Sequence, residues 1–238
     1  MIDRLVRMLS PFGLFVRGGF HPETSDGVPR MPDGAEAATC ILVGNAGAAM
    51  WQAFRESAVP ETAHPLDNWL RPGIEAAASA CGAAALFPND GPPFLPIDRW
   101  AMRAEAVRRS PIGILIHPDF GLWHVYRAVL LFQERLPLPE PDRRESPCAV
   151  CAKKPCLSVC PTDAFRPDRF DAAACVAHVK SADGSNCRER GCLARRACPV
   201  GRAYRYPSDQ QAFHMDAMVR AVERGFGSAA SQPPCERT

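Results

Sequence analysis

The alternation of apolar and polar positions divides the chain into a mixed first half, a cysteine-rich segment and a closing helix. "TCILVGNAG" (39–47) is a continuous apolar run ended by glycine, which predicts a buried strand leading into a turn. The apolar residues that follow, through Trp51 and Phe54, have helical spacing. "LRPGIEAAASACGAAALF" (70–87) predicts a helix starting after Pro72 and packed through small alanine side chains. "IGILIHPDFGLWHVYRAVLLF" (112–132) predicts a strand, a turn at Pro118 to Gly121 and a second strand, a hairpin by pattern. Proline-rich stretches at 87–96 and 135–147 read as loop and linker, the second marking a domain boundary. In "SDQQAFHMDAMVRAVERGF" (208–226), Ser208 caps a helix whose Phe213, Met215, Met218, Val219 and Val222 cover one face. The closing "GSAASQPPCERT" predicts disorder. The expected organisation is an α+β domain over 1–135, a linker over 136–147, a cysteine module over 148–206, a helix over 207–226 and a tail over 227–238.

Composition narrows the setting. An apolar fraction of 47% over 238 residues supports a real core. No stretch approaches the roughly 20 uninterrupted apolar residues that span a bilayer, so no membrane partner is expected. At the N-terminus Arg4, Arg7 and Arg17 interrupt the apolar residues and no small-residue cleavage site follows, so a secretory signal is not expected. A cytoplasmic protein is the default, and there thiols stay reduced and dense cysteines bind metal or do redox work. The net charge of +2 predicts no nucleic-acid partner. Charge is nonetheless uneven: from Asp142 to Tyr206 there are thirteen Lys or Arg against seven Asp or Glu, which leaves the remainder net negative.

Eight of the eleven cysteines fall between Cys148 and Cys198. Cys40 and Cys81 sit in apolar surroundings and read as small buried side chains, and Cys235 lies in the tail. The first group, Cys148-x2-Cys151-x4-Cys156-x3-Cys160-Pro161, follows the bacterial ferredoxin run C-x2-C-x2-C-x3-C-P with two extra residues in its second gap. The second is Cys175-x11-Cys187-x4-Cys192-x5-Cys198-Pro199. Both end in Cys-Pro. A tight loop wraps three corners of an iron–sulfur cubane but reaches the fourth poorly, and in two-cluster ferredoxins the Cys-Pro cysteine of each run ligates the other cluster. Transferred here, that exchange predicts one [4Fe-4S] cluster on Cys148, Cys151, Cys156 and Cys198, and a second on Cys175, Cys187, Cys192 and Cys160. Zinc is the competing reading, but it prefers two C-x2-C-like knuckles, and only one C-x2-C occurs. Disulfides lack the secretory context. Nearby cations raise a cluster's potential, and Lys153, Lys154, Arg188, Arg190, Arg195 and Arg196 are the candidates.

"CPTDAFRPDRFDAAACVAHV" (160–179), with Cys175 as a lone ligand after a run ending in "CPT", resembles the two-cluster module of epoxyqueuosine reductase and the reductive dehalogenases. That resemblance implies electrons passed from clusters to a cobalamin. "SPFGLFV" (10–16), "HPLDNW" (64–69), 112–132 and "YRYPSDQQAF" (204–213) are similar to the cobalamin-processing chaperone defective in the type C form of methylmalonic aciduria. This second resemblance implies a nitroreductase-related α+β N-terminal domain that binds cobalamin, with His117 near the cofactor. The chain has no "GLGWxGKN"-like segment carrying a proton-donating acid, no C-terminal helical repeats and no twin-arginine leader. Epoxyqueuosine reduction itself is therefore not expected.

His117 otherwise reads as a hydrogen-bonding residue of a turn. Trp123, His124 and Tyr126 follow it on the predicted second strand, where aromatic packing accounts for them. His64 and Asp67 fit a helix-entry turn, His178 lies beside Cys175 without being needed as a ligand, and "GNAGAA" (44–49) lacks the spacing of a nucleotide loop. The function expected is a cobalamin-linked reductase or cobalamin-handling protein, with an external electron-donor protein and a small-molecule or corrinoid substrate. The alternative is a dicluster carrier without a corrinoid, whose N-terminal domain docks a redox partner. A third reading, an iron–sulfur sensor, lacks a DNA-binding helical motif.

Overall fold

The structure is a computed structural model that describes residues 1–58, 62–167 and 169–225. The predicted disordered tail, Cys235 included, lies outside the described residues. The chain forms two compact units, Met1–Val107 with His124–Arg144, and Arg108–Trp123 with Glu145 onward. The fold is α+β. No helix among the described residues is long and apolar enough to cross a membrane.

In order, the first unit contains α1 (Ile2–Leu9), β1 (Phe15–Phe20), β2 (Thr39–Ala46), α2 (Ala49–Glu56), α3 (Pro65–Ala80), β3 (Ala84–Leu86) and α4 (Ile97–Ala104). Its last strand, β6 (His124–Phe132), follows β4 (Arg108–Arg109) and β5 (Leu115–Ile116) of the second unit. The first unit's sheet runs β1-β2-β6-β3, and every pair is antiparallel. β2 and β6 are central because both are apolar almost throughout and need cover on both faces. The expected hairpin within 112–132 does not form. β5 pairs with β4, while β6 pairs with β2 and β3. A two-residue strand offers too little surface for the nine residues of β6. α3 also starts earlier than expected, with Pro65 in its first turn and Pro72 inside it. The ridge of Leu66, Leu70, Ile74, Ala77 and Ala78 is buried along its length, and that burial outweighs the donor lost at Pro72.

Two bulges break the sheet's register, leaving Arg17 as the extra residue on β1 and Arg127 on β6. Arg17 is thereby turned into the interior, 3.0 Å from Glu105 Oε1 and 3.2 Å from His124 Nδ1, with its guanidinium over the Tyr126 ring. The Tyr126 hydroxyl donates to Glu105 at 2.7 Å, and burial pushes its pKa well above the ordinary tyrosine value. Thus Tyr126 and His124 serve a polar knot in the core. Gly44 permits the β6 bulge, since a Cβ there would stand 2.2 Å from the Val125 carbonyl oxygen.

The second unit holds the β4–β5 hairpin, then α5 (Pro155–Ser158), α6 (Ala172–Lys180), α7 (Ser185–Arg190), α8 (Leu193–Ala197) and α9 (Ser208–Glu223). Two small cores support it. Ile112, Ile116 and Leu122 pack with Ala194 and Cys198, and Val176, Val179 and Cys187 pack with Met215 and Val219 of α9. Of the face predicted for α9, Met215 and Val219 are buried, Met218 and Val222 pack partly, and Phe213 is half-buried. Pro207, rather than Ser208, takes the N-cap position.

Gly44→Ala is expected to cost about 3 kcal/mol, because its clash is with backbone that cannot rotate away. Urea unfolding measures it, and a wild-type midpoint would contradict the register argument.

Candidate metal centre

Each cysteine is set by a local feature. Before Cys148, Ser146 accepts from the Ala149 N–H through its carbonyl and from the Cys148 N–H through its hydroxyl. Lys154, at φ 36°, turns the chain into α5, where Pro155 opens the helix and Cys156 follows. Cys160 sits in the next turn, where its sulfur accepts from the Ala164 N–H at 3.5 Å. Asp171 caps α6 by accepting from the Ala174 N–H at 3.0 Å, which fixes the turn carrying Cys175. Cys187 lies in α7, Cys192 immediately before α8, and Cys198 immediately after it. Cys198 is extended, with ψ 126°, as the residue before a proline must be.

The cysteines gather in two quartets. Burial first, and then Cys198, Cys156 and Cys151, push the Cys148 thiol up to about 11, against a hydrogen bond from Ser146. Cys156 is raised by burial and then by Cys198, and Cys198 by burial and by Cys151. Elsewhere, burial followed by Cys192, Cys160 and Cys187 pushes Cys175 up to about 12. Cys192 is raised by burial, opposed by the N–H groups of Arg195 and Ala194, and raised again by Cys187 and Cys160. Cys160, although it closes the first run, is thus among the thiols that raise Cys175 and Cys192. Cys198 returns to stand with Cys148, Cys151 and Cys156. The thiols of that quartet line a small cavity of about 20 Å³, with Ile116 and Lys154 also in its wall. No three Cys, His, Asp or Glu side chains among the described residues converge as one bare ion requires. An all-sulfur donor set of this kind is suited to soft metals.

The candidate cations divide by what they touch. Arg195 donates to the Leu122 carbonyl through Nε at 3.0 Å and through a terminal nitrogen at 2.5 Å, and lies 4.7 Å from the ring centres of Trp123 and Tyr206. It thus clamps α8, the segment joining Cys192 to Cys198. Nothing in the spacing of the sequence distinguishes it from its neighbours. Arg188 donates to the Val179 carbonyl at 2.8 Å and Arg196 to Asn186 at 2.9 Å. Lys153 and Lys154 are exposed.

His117 is buried in the second unit. Its Nδ1 accepts from the Asp119 and Phe120 N–H groups at 3.0 and 3.3 Å, and its ring stacks on Phe120 at 4.3 Å. Paired backbone hydrogen bonds with Gly121, both 2.9 Å, close the turn. Gly121, at φ 59°, lies so close to Val200 that a Cβ would meet its carbonyl oxygen at 2.2 Å. The turn of His117 is therefore seated on the backbone just beyond Cys198 and Pro199. His64 takes the N-cap position of α3, Asp67 accepts from Asn89 at 2.9 Å, and His178 is half-buried on α6. Cys40 and Cys81 are buried in the first unit, where burial pushes Cys40 up to about 12.

No protein-family profile matches the chain, and no curated protein sequence does. Among solved structures the chain is similar to epoxyqueuosine reductase in a complex with an epoxyqueuosine-modified tRNA stem loop, in a selenomethionine-labelled form and in a form from Bacillus subtilis. Each match has a TM-score of 0.50 at 14% identity over 88% of this chain and 68% of the other. At that identity the likeness is one of fold. It gives no support to the expected cobalamin-chaperone likeness of residues 1–135.

Arg195→Met removes two bonds to a backbone carbonyl and two ring contacts, and is expected to cost about 2–4 kcal/mol. Denaturant unfolding followed by tryptophan fluorescence measures it, and an unchanged midpoint would show that α8 is held by something else.

Proposed function

We propose that the protein is an iron–sulfur redox protein holding two [4Fe-4S] clusters, which deliver electrons to a corrinoid bound by the N-terminal domain. Cys148, Cys151, Cys156 and Cys198 hold one cluster, and Cys160, Cys175, Cys187 and Cys192 the other. The observation that carries this reading is that Cys198, from the second run, lines one cavity with Cys148, Cys151 and Cys156 of the first. One chain segment rarely closes four donors around a bulky cluster, and exchange supplies the fourth. The sulfurs of Cys148, Cys151, Cys156 and Cys198 line one small cavity, which supports their assignment to one cluster. The fold likeness to epoxyqueuosine reductase agrees with the redox assignment, and the corrinoid is supported by the two sequence resemblances, which include His117.

Bound clusters of this type supply reversible one-electron transfer. The chain's own residues prepare the site. Backbone N–H groups of Ala164, Arg195 and Ala194, and Val200 point at the sulfurs of Cys160, Cys192 and Cys198 respectively, stabilising negative charge there. Apolar walls from Ile116 and Val176 limit water. With α8 rising 1.5 Å per residue, Cys192 and Cys198 are separated by about 9 Å along its axis, which keeps the quartets close.

Anaerobic reconstitution with iron and sulfide is expected to give about eight irons per chain. Cys198→Ser is expected to lose iron from the quartet of Cys148, and Cys160→Ser from the quartet of Cys175 despite its place in the first run. Stoichiometric zinc would overturn the assignment. Added cob(II)alamin is expected to change its EPR spectrum, and further with His117→Ala. A spectrum still that of free cobalamin, with reducible clusters, would leave a dicluster carrier without a corrinoid.

A further inference from the structure

The loop over the first quartet has a surface that its sulfur chemistry does not require. Val150 is 82% exposed, and Leu157 and Val159 are each 39% exposed. Lys153 and Lys154 stand between them in the sequence, and no Asp or Glu occurs from Ser146 to Thr162. Several other cations of the unit are committed within it: Lys180 to Glu223, Arg188 to Val179, Arg195 to Leu122 and Arg205 to the Arg196 carbonyl. The side-chain ammonium groups of Lys153 and Lys154 make no ion pair or hydrogen bond among the described residues. Lys154 also stands in the wall of the small cavity, beside Cys148 and Cys151.

We infer that the loop Ser146–Thr162 is the docking surface for a small acidic one-electron donor protein, which delivers its electron at the quartet of Cys148. The inference rests on the proposed cluster assignment for the electron's destination, but the surface argument stands on exposure and charge. Apolar side chains at the centre of a contact supply its adhesion, while charges at the rim steer approach and set orientation. Two uncompensated lysines select a negative partner, and exposure of the thiol-bearing loop shortens the path for the electron. The step is balanced simply. The partner's reduced carrier would lose one electron, a cluster held by Cys148, Cys151, Cys156 and Cys198 would gain it, and no bond or proton need move. Contacts of this kind are small and transient, typically under about 1,200 Å².

The test uses the reconstituted, full-length protein and a purified acidic flavodoxin as the probe. Calorimetry reads association with the oxidised flavodoxin. Stopped-flow absorbance reads electron transfer from its hydroquinone at low and at physiological salt. Lys153→Glu with Lys154→Glu is expected to weaken association at least tenfold at low salt and to flatten the salt dependence. Val150→Ser is expected to weaken association without changing the salt slope. Iron content and photoreduction by a deazaflavin are expected to stay at wild-type values in Val150→Ser and in Lys153→Glu alone, which is expected to weaken association in the same direction as the double variant. Variants that bind and accept electrons like the wild type would overturn the docking surface, as would an RNA hairpin that competes through the same lysines with equal affinity. Absence of iron from the unsubstituted protein would instead count against the cluster assignment, and calorimetry would still test the surface.

Discussion

Negatively charged sulfurs held close together repel one another, and burial strips the water that would otherwise screen them. Both effects are present in the second unit, where thiols are raised by burial and by each other. Such an arrangement is stable with the charge removed, by protons or by a cationic centre. A short loop has the further difficulty that it cannot surround a bulky centre by itself. In the proposed arrangement, crossing Cys160 and Cys198 between runs answers the geometric problem and ties Ser146–Pro161 to the segment after α6. Neither proposed cluster would be complete without a residue from the other's stretch of chain, which would make the two sites one mechanical unit.

The remaining contacts of that unit make sense as support for the crossing. Arg195 fixes the short α8 to Leu122, and Gly121 allows the turn of His117 to lie against Val200. The Nδ1 bonds of His117 hold this same turn in shape. α9 covers the other side, with Met215 and Val219 against Cys187, Val176 and Val179. In the first unit, a knot of Arg17, Glu105, His124 and Tyr126 occupies the core without any cysteine. Breaking such a buried pair leaves an uncompensated charge costing about 3–5 kcal/mol.

Much of this was legible in the chain wherever the signal was local. The run "TCILVGNAG" announces β2, and the repeated Cys-Pro endings announce two related groups of sulfur. Non-local pairing was not legible. The strand β1 was hidden by Arg17, Gly18 and Gly19, which interrupt any alternation. The partner of β6 is β2, far away in sequence, while the turn at Pro118 to Gly121 suggests a local hairpin. The Arg17–His124 contact spans 107 positions, beyond the reach of any periodicity. Arg195 resembles a surface cation until Leu122, Trp123 and Tyr206 are brought against it. Charge counts likewise gave the excess over 142–206 without telling stapled arginines from the exposed lysines.

The central claim is that crossed cysteines hold two redox centres close together. Low-temperature EPR of anaerobically reconstituted protein, fully reduced, tests it most directly. The account predicts about two electron spins per chain, with the broadening that comes from two paramagnetic centres near each other. A diamagnetic, zinc-loaded protein, or one isolated spin per chain with sharp lines, would contradict it.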